Sequence, residues 1–157
     1  MAYFRLRKDA EKWFGEISEA PEIKVKWDIY YMCLMAGFAS GRSSDATATD
    51  MVERFVEEYR PVRHFLIGLL VVAELRLTKV DISDRAQVRE LFRKLVQPNG
   101  TNDLTDTGMR RMNAYASGGW EYLAESRDQR PYTIEEFMQS YPKIIERAME
   151  DSGISLS

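Results

Sequence analysis

Apolar residues recur along this chain at three- and four-residue spacing almost throughout, which is the period of one face of an α-helix. Leu6, Ala10, Trp13, Phe14 and Ile17 share such a face, and Ala20-Pro21 ends it, because the residue before a proline is pushed out of helical geometry. Trp27 to Ala39 is apolar nearly all round. That predicts a helix buried on several sides, with Gly41 as its C-terminal cap. Arg42 to Thr49 reads as a polar loop. Asp50 with Glu53 has the spacing of a capping box. Val52, Phe55, Val56 and Tyr59 follow in helical register, and Pro61 closes that helix and opens the next.

The tract from Phe65 to Ala73, continuing to Leu75 and Leu77, predicts a central helix over a buried strand, because few turn signals interrupt it. Asp84 and Gln87 form another capping box, ahead of Val88, Leu91, Phe92, Leu95 and Val96. Gln97 to Asp103 (Gln-Pro-Asn-Gly-Thr-Asn-Asp) is the strongest turn signal. Met109, Met112, Ala116, Trp120 and Leu123 then mark a long helix, with Gly118-Gly119 expected to bend or interrupt it. After Arg130-Pro131, Thr133 with Glu136 caps a last helix that Pro142 should kink or split. The expected fold class is therefore all-α. A compact single-domain bundle of about six or seven helices fits this length. Residues 1–150 make the helical domain and residues 151–157 a flexible C-terminal tail. The expected core includes Trp13, Phe14, Leu34, Phe55, Leu66, Leu70, Phe92, Leu95, Met112, Phe137 and Ile145.

Composition narrows the chemistry. The chain holds one histidine, His64, and one cysteine, Cys33. A zinc site takes about four ligands, so a Cys/His cage within one chain is excluded. A single cysteine forms no intrachain disulfide, which fits a reducing compartment. No phosphate-cradling glycine loop or nucleophile elbow is present. No apolar stretch of signal-peptide type leads the chain, and the longest apolar tract falls well short of the roughly 20 residues of a membrane span. These readings predict a cytoplasmic protein with no cofactor, no metal and no membrane partner. A formal charge of −3 argues against a uniformly basic nucleic-acid binder. Arg60 to His64 spaces arginine and histidine too closely for the paired phosphate contact of an all-helical RNase of the HEPN type. Glu57-Glu58, Asp103 with Asp106, and Glu135-Glu136 read as solvated, turn or helix-capping carboxylates.

Two constellations remain as candidate sites. Arg85, Arg89 and Arg93 recur every four residues and so share one helix face, expected to lie opposite Val88, Leu91, Phe92 and Leu95. Lys94 flanks them, and Arg110 and Arg111 lie beyond the next turn. Such a face suits phosphates or an acidic partner. The second is Tyr115, Gly118, Gly119 and Tyr122. Aromatic rings beside small residues would make an exposed patch for a partner chain.

Arg5-Leu6-Arg7-Lys8-Asp9-Ala10, followed by Trp27-Asp28-Ile29 leading into an apolar helix with Cys33, resembles the start of DndE-type proteins over about the first 35 residues. These are small helical subunits of bacterial DNA phosphorothioation systems. The resemblance implies a small helical accessory protein of a bacterial DNA-processing or phage-defence system. With the missing catalytic set and the aromatic content, it leads to one expectation: a non-catalytic subunit that docks onto larger protein subunits. Nucleic-acid binding through the arginine face is the alternative, and a carboxylate-dependent nuclease stands third.

Overall fold

The computed structural model describes residues 2–46, 48–99 and 102–153. In chain order these form β1 (Phe4–Leu6), α1 (Lys8–Trp13), a 3-10 turn at Ile17–Glu19, α2 (Lys26–Ser40), β2 (Thr49–Val52) and a 3-10 turn at Arg60–Val62. Then come α3 (Arg63–Leu77), α4 (Arg85–Leu95), α5 (Asp106–Glu125) and α6 (Ile134–Asp151). The chain is mostly helical but not strictly all-α, because β1 and β2 pair in a two-stranded sheet.

That sheet corrects two expectations. Leu6 lies in a strand rather than on the first helix, which begins only at Lys8. The helix expected from Asp50 to Tyr59 does not form. Asp50 does not cap; its carboxylate pairs with Arg5 at 2.7 Å. Phe55 is buried edge-on against Phe4, with ring centroids 4.9 Å apart. Helical spacing in this segment is real, but strand pairing and a shared apolar contact override it, as tertiary context does wherever local preference is weak.

The other expected helices are present, and Asp84 and Thr133 cap α4 and α6 as N-caps, without the reciprocal bond to the cap backbone that a full capping box makes. The Gln87 backbone N–H donates to Asp84 at 3.2 Å, and the Gln87 side chain reaches back to the same carboxylate at 2.7 Å. The Glu136 N–H donates to the Thr133 hydroxyl at 3.2 Å. Gly41 ends α2 in the left-handed region at φ 72°. Gly118 and Gly119 do not interrupt α5, and Pro142 lies inside an unbroken α6. The turn expected between Gln97 and Asp103 is flanked by a bridge from Val96 to Leu104; its Gly100 and Thr101 lie outside the described residues. Of the expected tail, Asp151 closes α6 and the Ser152 hydroxyl donates to the Ala39 carbonyl at 2.7 Å. Residues 154–157 lie outside the described residues.

The chain divides into two compact units, residues 1–5 with 50–113 and residues 6–49 with 114–157. In the second, α2 packs on α6. Leu34, Tyr115, Leu123 and Phe137 are buried there, and Trp13, Phe14 and Phe137 meet edge to face. In the first, α3 packs on α4, and Leu66, Leu70, Leu95 and Met112 are buried. Three expected core residues behave differently. Trp13 and Ile145 are only half-buried, and Phe92 is 47% exposed.

Candidate functional site

The arginine face is where the spacing places it. Arg85, Arg89, Arg93 and Lys94 all lie on α4 and all are exposed. None makes an ion pair or hydrogen bond through its side chain among the described residues, in contrast to Arg63, Arg111 and Arg127. Arg110 is exposed on α5. Arg111 is not part of such a surface. Its guanidinium binds the Glu74 carboxylate at 2.6 Å, and Glu74 is 5% exposed. A buried carboxylate needs a partner of opposite charge, so Arg111 is turned inward to supply one.

The face is not opposite the apolar stripe, as the sequence suggested. At about 100° per residue, Phe92 lies about 20° around the helix from Arg85 and about 60° from Arg89. The arginines therefore border Phe92, which is largely in solvent. Only Leu95 of the stripe is fully buried.

What the sequence did not reveal lies on α3. Its inward side buries Leu66, Ile67, Leu70, Val71, Glu74 and Leu75. Its outward side is also apolar. Phe65 is 61% exposed, Val72 is 52% exposed and Gly68 between them is exposed. A uniformly apolar tract hides such a face, because a helix apolar on all sides is ordinarily buried on all sides. Ile82, in the connection to α4, is 78% exposed. Gly68 is a further surprise. A Cβ built there meets nothing within 4 Å, and glycine in a helix interior is about 1 kcal/mol less favourable than alanine. Nothing within its own fold calls for glycine at this position.

The second predicted constellation is not an exposed patch. Tyr115 is fully buried against Phe38, with ring centroids 5.3 Å apart, and Gly118 and Gly119 are buried with it. A Cβ on Gly119 would fall 1.7 Å from the Cys33 carbonyl oxygen, and one on Gly118 would fall 2.4 Å from that of Arg42. These glycines let α5 approach its neighbours closely, which is their structural role. Tyr122 is half-buried, and desolvation raises its phenol above the usual value.

The titratable candidates are likewise accounted for. His64 is exposed in the first turn of α3. Cys33 is fully buried, which pushes its thiol far above the ordinary range, so it is a packing residue and not a nucleophile. Glu57 and Glu58 lie exposed in a turn. Asp103 pairs with Arg63 at 3.2 Å. Glu136 pairs with Arg127 at 2.7 Å, which holds its carboxyl below the usual value. Among the described residues no group of three or more His, Cys, Asp or Glu side chains could hold a metal ion. No described helix is long and apolar enough to cross a membrane.

Clefts among the described residues include the following two. One, of about 270 Å³, is lined by Leu6, Phe14, Ile23, Val25 and Ile29, with the Glu11–Lys26 ion pair at its rim. The other, of about 170 Å³, lies between Ser126, Arg127, Ser140, Lys143 and Arg147. Its Arg127 is already committed to Glu136, to the Ser140 hydroxyl at 2.7 Å and to the Gln129 carbonyl at 3.2 Å. Neither cleft assembles a nucleophile, a base and an orienting group.

No family model, curated protein or solved structure matches this chain.

Proposed function

We propose that this chain is a non-catalytic helical accessory or adaptor subunit that docks onto a larger protein. The observation that carries the reading is the outward face of α3, where Phe65 and Val72 stand in solvent on either side of Gly68. Large apolar side chains grouped on one surface mark a contact with another molecule. The likeness of the first 35 or so residues to DndE-type proteins supports placing that complex in a bacterial DNA-processing or phage-defence system. The test is recovery of the full chain with its native complex, at native expression level, from cells carrying wild type or a Phe65→Ser, Phe92→Ser double variant. The variant is expected to fold as wild type, since both side chains are largely exposed, and to lose the complex. Recovery of the same complex at wild-type yield would sink the reading.

One observation favours a second reading, nucleic-acid binding. Arg85, Arg89, Arg93 and Lys94 are exposed and unmatched by carboxylates among the described residues. If duplex DNA is the ligand, the isolated chain binds it alone. Affinity then falls steeply between low and physiological salt, because phosphate contacts release counterions. Replacing the three arginines with glutamate abolishes that binding and preserves the fold. The protein-docking reading expects negligible binding of free duplex by the isolated chain.

A further inference from the structure

We propose that the outward face of α3, together with the arginine edge of α4, seats one amphipathic helix of another protein, apolar on one side and acidic on the rest. This rests on the docking reading above and names its partner's chemistry.

Three observations converge on that occupant. The first is shape. Phe65, Gly68, Leu69 and Val72 fall at i, i+3, i+4 and i+7, one strip about 10 Å long. Gly68 leaves a notch between Phe65 and Val72, with open space where a side chain would stand. At Gly37 and Gly119, by contrast, another backbone of this chain lies where the Cβ would be, 2.0 Å and 1.7 Å away respectively. A glycine on an outward helix face, flanked by a phenylalanine and a valine, gives a second helix the same close approach.

The second observation is charge. α4 packs on α3, and its Arg85, Arg89, Arg93 and Lys94 are exposed without ion partners among the described residues. Glu90 is the one carboxylate within α4. Asp84 is engaged in its cap, and Asp81 accepts hydrogen bonds from Ser83. A partner that covers Phe92 must pass beside Arg85 and Arg89, so its flanks carry Asp or Glu.

The third observation discriminates between occupants. A second copy of this chain meeting through the same face would set these arginines against themselves, since a two-fold contact is self-complementary. Nucleic acid would satisfy the arginines and leave Phe65 and Val72 uncovered. A lipid surface would take both the apolar and the basic residues, but would make no use of the notch at Gly68.

The experiment uses the full chain and a synthetic 18-residue helical peptide with Leu and Ala at i, i+3 and i+4 spacing and Glu elsewhere. It is titrated by fluorescence anisotropy beside a version with Lys for Glu and a version of scrambled order. The acidic peptide is expected to bind at least about tenfold more tightly than either control. Gly68→Leu should weaken it about tenfold or more while the chain's melting temperature stays at or above wild type, because leucine is the better helix former. Arg85, Arg89 and Arg93 replaced by Glu should reverse the preference towards the Lys peptide. Equal binding of acidic and basic peptides overturns the proposal. So does Gly68→Leu binding like wild type. So does arginine-dependent binding of short duplex DNA, or of phosphatidylserine-containing vesicles, in place of the peptide. So does a concentration-dependent dimer that Phe65→Ser dissociates. If Phe65→Ser with Phe92→Ser releases the native complex but the acidic peptide does not bind, docking stands and the acidic helix is wrong. If that variant keeps the complex, the docking reading falls as well.

Discussion

The two units of this chain treat their apolar and ionic side chains differently. In residues 6–49 with 114–153, Tyr132 and Met138 are the large apolar residues left exposed among the described positions. In residues 2–5 with 50–113, Val62, Phe65, Val72, Leu77, Ile82 and Phe92 are all exposed. The ionic pattern runs the same way. The first of these regions matches Arg7 to Asp9 and Glu121, Arg42 to Glu121 and Glu125, Arg127 to Glu136, and Arg130 to Glu16. The second matches Arg5, Arg63 and Arg111 but leaves the α4 arginines to solvent. The first region buries or half-buries nearly all its large apolar side chains. The other keeps several large apolar side chains in solvent, with unmatched arginines bordering one of them, Phe92, the composition of a surface that something else completes.

The comparison can be broken most severely at the close helix contact of the first region. Gly119→Val is expected to destabilise by about 3 kcal/mol or more, because a side chain there collides with a carbonyl that belongs to a helix backbone and cannot move alone. All three tryptophans, Trp13, Trp27 and Trp120, lie in this region, so tryptophan fluorescence reports its unfolding and far-ultraviolet circular dichroism reports both. A wild-type melting curve by fluorescence would refute the close-contact assignment.

Next in size is a contrast within α3. Leu70→Ala empties a fully buried position and should cost about 2–5 kcal/mol. Phe65→Ser, five residues earlier on the outward side, should change stability by about 0.5 kcal/mol or less. Chemical denaturation followed by circular dichroism measures both. Equal losses would mean that the outward face is covered in the free chain.

A smaller effect is expected in acid. Arg42 holds the Glu125 carboxyl below its ordinary 4.5, and Arg127 does the same for Glu136. A carboxyl lowered in the folded state stabilises that state fully above its unfolded value. The contribution is lost as pH falls through the folded value. A Glu125→Gln, Glu136→Gln double variant should therefore melt below wild type at pH 7, and the gap should close as pH falls below the ordinary carboxyl range and through the lowered folded values. Both carboxylates are exposed, so the gap is small. A gap that persists undiminished in acid would show that the ion pairs are not its source.

The smallest expected change has the opposite sign. Gly68→Ala should stabilise the free chain by about 0.5–1 kcal/mol, since a methyl group meets open space and helix propensity improves. Destabilisation measured by denaturant titration would reveal an internal contact at that position and remove the reason to assign the notch to a partner.

Much of the architecture was legible in the sequence, because it rests on local physics. Periodic apolar spacing placed α2 to α6. Asp84 with Gln87 and Thr133 with Glu136 marked two helix starts through hydrogen bonds that reach only three residues. Gly41 marked the end of α2 through its positive φ. The four-residue repeat placed Arg85, Arg89 and Arg93 on one exposed face. Only the tertiary structure decided the rest, because each remaining feature depends on a residue distant in sequence. Asp50 became half of an ion pair with Arg5 rather than a cap, and its segment a strand, once β1 lay beside it. Arg111 left the basic surface when Glu74 needed a buried counter-charge. Gly118 and Gly119 turned from an exposed patch into a helix contact because the Cys33 and Arg42 carbonyls stand against them. In α3, an apolar tract carries no mark of which side will find neighbours. Leu70 met the core and Phe65 met solvent, and burial is a property of the neighbours as much as of the side chain.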